Sequence, residues 1–224
     1  MADDMVVSAV PSTSRPGLGG LVRALPMPLL FALFAVHQVV MGIGATLYEA
    51  GTLPTGLFKV DGEGHYFVYV SALLLLAGAV CAVLAVQAGA APTVTLGLAA
   101  LLAFMAVDEA FALHERLERW LHVDWPLLYS PVMAVGGLAA LVLLRATRHV
   151  PWVAPTFLAG GACWAAAVVL EKLQWTDTGK ADHYVAMMIP EELLEATGSF
   201  LFAVALALLV RAAGRAVGAA SRPR

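Results

Sequence analysis

Six apolar stretches, each close to the length of a membrane-crossing helix, alternate along the chain with short polar segments. The first runs from Pro26 to Tyr48 and the second from His65 to Gln87. The third opens at Pro92, and the fourth covers Pro126 to Leu144. The fifth covers Pro151 to Leu170, and the sixth runs from Pro190 to Ala212. A helix needs ~20 apolar residues to cross a bilayer. Each stretch therefore predicts one spanning helix, and together they predict an all-α polytopic membrane bundle. Proline suits the first turn of a helix, where its missing N–H costs nothing, so Pro190 predicts the start of the sixth. His65-Tyr66-Phe67-Val68-Tyr69, Trp120, Trp125 and Tyr129 read as aromatic belts at the membrane surface.

The flanks set the domain plan. Residues 1–25 contain Pro11, Ser12, Ser14, Pro16 and several glycines without apolar periodicity, which predicts a disordered tail. Residues 26–212 form a single six-helix membrane domain, and residues 213–224 a basic tail. The first stretch is too long for a signal-peptide core and reads as a retained anchor. With the N-terminus in the cytoplasm, the inside holds eight basic residues: Arg15, Arg23, Arg145, Arg148, Arg211, Arg215, Arg222 and Arg224. The outside holds five, Lys59, Arg116, Arg119, Lys172 and Lys180. Basic residues favour the cytoplasmic side, so both termini are expected there, in a cell membrane.

Composition sharpens this picture. Of 224 residues, 61% are hydrophobic and 13% charged, against about 25% charged in a soluble domain. Mean hydropathy is +0.83. The lipid bilayer is thus the first partner, and no basic patch points to nucleic acid. Gly136-Gly137 and Gly160-Gly161 offer small-residue faces for close helix packing, within the chain or in a homo- or hetero-oligomer. Cys81 and Cys163 each lie in an apolar stretch and read as packing residues. Phosphate-binding and dinucleotide glycine loops, Gly-x-Ser-x-Gly and Cys-x-x-Cys are all absent.

Charge brings in the chemistry. All sixteen acidic residues except Asp3 and Asp4 fall at one end of the predicted bundle. Asp108-Glu109-Ala110-Phe111-Ala112-Leu113-His114-Glu115-Arg116 follows directly on an apolar run. Only fifteen residues separate Pro92 from Asp108, about 22 Å of helix against a hydrocarbon core of ~30 Å. Ionisable groups at that depth are costly and mark functional sites. If the third helix continues to Leu121, Asp108 and Glu115 share one stripe, with Glu109 turned outward beside Arg116. Glu191, Glu192 and Glu195 crowd one arc of the sixth helix. Crowded carboxylates share protons, meet arginine or bind a cation, although Glu191 and Glu192 also fit as helix-start residues.

Three readings follow. In the first, Asp108, His114, Glu115, Glu171, Glu192 and Glu195 converge on a divalent metal, with Glu49, His65 and His183 in reserve. Carboxylates with an imidazole suit zinc, iron or manganese. His114 is then the nitrogen ligand or an acid/base group, and Glu109 and Glu191 are bystanders. The Glu-x-x-His spacing of ferritin-like di-iron bundles does not occur, nor does the late His-x-x-x-His of seven-helix membrane hydrolases. In the second reading the chain is a proton- or cation-coupled carrier, with His37 and Gln38 extending a path inward. In the third it is an accessory subunit whose acidic end pairs with basic residues. The topology itself is testable. Cysteines placed at Gly62 and Ser221 are expected to react from opposite faces of the membrane, and labelling from one face would overturn the arrangement.

Overall fold

The computed structural model describes residues 17–60, 65–90, 92–176 and 179–220, with side chains to residue 215. Helix α1 covers Leu18–Ala24, α2 Met27–Glu49, α3 Tyr66–Gln87 and α4 Pro92–Phe111. Then come α5 at Leu113–Leu121, α6 at Trp125–Ala146, α7 at Val153–Leu173 and α8 at Tyr184–Ala220. A two-residue ribbon, β1 at Trp175–Thr176 against β2 at Gly179–Lys180, joins α7 to α8. Helices α2, α3, α4, α6, α7 and α8 are each long and apolar enough to cross a membrane. The chain is an all-α membrane bundle of six spans.

Helix α8 is the axis. In its most apolar stretch 61% of residues are buried, against 6% for α6 and 17% for α2. Helices α3 and α7 pack closely against it, and α2 touches it more sparsely; α4 packs on α3, and α6 lies outside against α4. The reason is side-chain size. Small residues let helix backbones approach closely, which is what drives association in lipid. A Cβ built on Gly160 would lie 2.9 Å from the carbonyl oxygen of Gly198, and one on Gly198 would lie 2.9 Å from that of Gly160. Gly137 and Gly161, by contrast, face open space. One residue of each glycine pair therefore faces its own bundle and the other faces outward.

Two apolar clusters fill the interior. The larger joins Leu75, Leu98, Leu102, Phe157, Phe202 and Leu206 at the end of the bundle away from the carboxylates. The smaller joins Met41, Ala45, Val60, Phe67 and Met188 at the carboxylate end. Exposed leucines and valines such as Leu33, Val39, Leu73, Leu127 and Val135 cover the outside, as a lipid-facing surface requires.

Both flanks differ from expectation. Residues 1–16 lie outside the described residues, but 18–24 form α1 rather than a structureless tail. Val22 is buried, and Arg211 donates a hydrogen bond of 3.1 Å to the Leu25 carbonyl just past the end of α1. A cation at a helix C-terminus satisfies an orphan acceptor and favours the dipole. At the other end α8 continues to Ala220, through most of the expected basic tail. Nor does Pro190 begin the last helix. It lies inside α8, six residues after Tyr184, where the Ala186 carbonyl loses its helical donor.

The glycine contacts make a matched test. Gly160→Ala is expected to lower stability by about 1–3 kcal/mol, because backbone cannot yield to the added methyl. Gly161→Ala, which meets nothing within 4 Å, is expected to stay within about 0.5 kcal/mol of wild type. Thermal unfolding in detergent reads the difference.

Candidate functional site

The third span does not run on to Leu121. Helix α4 ends at Phe111, and Ala112 adopts the left-handed conformation at φ 46° and ψ 50°. Helix α5 starts at the next residue. A non-glycine residue held there costs about 1–3 kcal/mol and persists only where neighbours enforce it. Asp108 supplies the enforcement. Its Oδ1 accepts the backbone N–H of His114 at 2.9 Å and the Tyr129 hydroxyl at 2.8 Å. Its Oδ2 lies 2.9 Å from His114 Nδ1.

The network extends to two more helices. Trp125 and Tyr129, one turn apart on α6, both face inward. The Trp125 ring lies 5.2 Å from the His114 ring, and its indole N–H donates to Glu171 on α7 at 2.6 Å. Burial acts to lower the His114 pKa, but the hydrogen bond and charge of Asp108, with the charges of Glu171 and Glu109, outweigh it and raise the value above 6.5.

The break redistributes the carboxylates. Glu115 no longer shares a stripe with Asp108. It lies on the outer face of α5, 3.3 Å from Arg119, with both side chains well exposed. Glu109, expected to face outward beside Arg116, is buried instead, with its carboxyl beside that of Glu195 on α8. Its Oε1 has no partner among the described residues, and neither does the buried Oε2 of Glu192. Glu191, expected as a bystander, accepts a hydrogen bond from the Gln174 amide.

Asp108, His114, Glu171, Glu192 and Glu195 thus gather at one end of the bundle, joined by Glu109 and Glu191. Glu115 stays apart. Glu49 and His183 are exposed, and His65 is the residue just before α3, with no capping hydrogen bond from its side chain. No described lysine or arginine forms an ion pair with the five glutamates; Lys172 pairs with Asp124 at 3.5 Å. No three histidine, cysteine, aspartate or glutamate side chains among the described residues are already arranged to hold a metal ion. The sequence did carry a signal for Tyr129 and Trp125, which are four apart and so share a helix face. For Glu109 the signal was its place beside Asp108 in an apolar run.

The profile of a family described as a domain of unknown function (DUF8692) matches residues 27–210, from the first residue of α2 well into α8. No curated protein and no solved structure matches the chain.

The Asp108–His114 pair has a pH signature. Its contribution to stability is whole below the ordinary histidine value of 6.5 and is lost as pH rises through the raised folded value. Asp108→Asn is expected to lower the His114 pKa, read by NMR titration of chelator-washed protein. It is also expected to destabilise the protein more at pH 6 than at pH 8. An unchanged His114 titration would show that Asp108 does not set it.

Proposed function

We propose that this chain, which belongs to the DUF8692 family, uses the glutamate cluster at one end of its membrane bundle to bind a divalent cation. One observation carries the reading. Carboxylate oxygens of Glu109 and Glu192 are buried beside Glu195 without partners among the described residues, and no described lysine or arginine pairs with them. Carboxylates gathered in apolar surroundings repel one another and lose hydration. A divalent cation offsets both costs at once.

The chemistry of the donors supports a defined ligand set. Glu109 from α4 with Glu192 and Glu195 from α8 are the carboxylates. His114 is the nitrogen donor through Nε2, because Asp108 holds its Nδ1. A carboxylate on the far nitrogen is the usual way a ligating imidazole is oriented. Glu171 and Glu191 are already engaged by Trp125 and Gln174 and act as outer partners. Closing the set needs side-chain rotation, and protons held by the crowded carboxyls are released to solvent as the ion binds. Carboxylates with one imidazole select iron, manganese or zinc. A bound metal of this kind supplies Lewis-acid activation of water or redox chemistry. The distribution of basic residues supports a position for this end outside the cytoplasm.

Metal analysis of protein purified without chelator tests the reading. Wild type is expected to carry stoichiometric metal and to gain about 2.7 kcal/mol of stability at a hundredfold excess of ligand over Kd. Glu195→Gln and Glu109→Gln are expected to lose most of the metal, whereas Glu115→Gln, on the outer face, retains it. Metal-free wild type, together with variants as stable as wild type or more so, would end the cation reading. The cluster would then be a crowded acidic surface for a basic partner.

A further inference from the structure

Polar side chains do not stop at the glutamates. Ser71 on α3 and Ser199 on α8 are completely buried, and neither hydroxyl has a hydrogen-bond partner among the described residues. On α2 both ring nitrogens of His37 and both amide atoms of Gln38 are also buried and unpartnered. The indole N–H of Trp164 on α7 is in the same condition. All of these atoms belong to spanning helices. Lipid offers them no hydrogen bonds, and leaving a buried polar group unsatisfied is costly.

Helix register puts them in one file. A Cβ built on Gly78 would lie 3.2 Å from Leu102 and 3.5 Å from Ala203, so these three residues share a level. Two turns toward the carboxylate end, about 10 Å along each helix, come Ser71, Glu109 and Ala196, with Glu195 adjacent. On α2, a Cβ at Gly42 would lie 3.2 Å from Leu193, and the Phe34 ring stacks on Phe200 at 4.1 Å. His37 and Gln38 fall between those two rungs, and so does Ser199 on α8. Glu192, Glu195 and Ser199 follow one another at helical spacings of three and four, on one face of α8. Phe31 meets Phe200 edge-on at 5.2 Å and closes the far side. Beyond this stack the interior is apolar, with Phe202, Ala205, Leu206 and Val210.

We infer that Ser71, Ser199, His37 and Gln38 line a water-filled track that leads from the glutamate cluster into the membrane interior and ends at the Phe34–Phe200 stack. Each of these side chains can both donate and accept, and a buried water needs two to four such partners. The file itself carries no carboxylate, lysine or arginine, so it suits water and the protons it relays rather than a naked metal ion. The aromatic stack and the apolar cluster behind it keep the membrane sealed. The track is a half-channel, open toward the carboxylate end. This goes beyond the cation reading and holds whether or not the glutamates carry a metal.

Radiolytic hydroxyl labelling of the intact protein in nanodiscs uses water itself as the probe. Phe200 and Phe202 are equally buried, at 8% exposure, but only Phe200 faces the track. Phe200 is expected to be oxidised roughly tenfold faster than Phe202, because radicals form only where water is held. Equal, slow oxidation of the two would overturn the track. Ser199→Ala gives a second readout. A dry, unpartnered hydroxyl is a cost, so its removal would raise Tm and leave Phe200 labelling unchanged; that result also overturns the proposal. A water-bonded hydroxyl predicts an unchanged or lower Tm with several-fold less Phe200 labelling, and Gln38→Leu is expected to behave in the same way.

Discussion

The carboxylate of Asp108 is the joint on which one end of this protein turns. It occupies the last turn of α4, where the helix dipole disfavours negative charge. The same carboxylate accepts an N–H from the first turn of α5, where the dipole favours it. The two effects offset each other only because the chain breaks at Ala112. Without the break, Asp108 would stand at mid-helix with neither the His114 N–H nor its imidazole in reach. The aspartate and the left-handed alanine therefore require one another. Through Tyr129 and His114 the same carboxylate fixes α6 and orients the imidazole, and Trp125 carries the connection to Glu171 on α7.

Around that joint the bundle separates apolar and polar layers along the axis of α8. Glycine and alanine on α8 bring its backbone against α7 and α3, leaving little room for water in the larger apolar cluster. Met41, Val60, Phe67 and Met188 form a second apolar layer near the carboxylate end. Glu109, Glu192, Glu195, Ser71 and Ser199 fall between the two. A polar layer enclosed in this way raises the energetic stakes of every hydrogen bond in it. Electrostatic interactions strengthen in a low dielectric, and so does the penalty for leaving a group unmatched.

Much of this was legible in the amino-acid sequence alone. Six spans follow from hydropathy, which sums over a local window and is indifferent to packing. The gathering of acid at one end follows from counting turns between spans. Helix faces were less legible. In a soluble protein an apolar stripe shows which side is buried, but here lipid and core are equally apolar, and neither selects a stripe.

Tertiary structure decided which carboxylates turn inward. Glu109 and Glu115 exchanged their expected places because one residue, Ala112, left the helical conformation and reset the phase of everything after it. That break has no local signature. Alanine is the best helix former, and its left-handed turn is bridged by Asp108 with His114 and Tyr129, groups brought together by folding. Pro190 gave the opposite lesson, since its strong local preference for a first turn yielded to packing along α8. Length and burial in the membrane were therefore fixed residue by residue. The site was fixed by contacts between helices, because the direction of a side chain depends on the accumulated phase of the backbone, which any distant hydrogen bond can change.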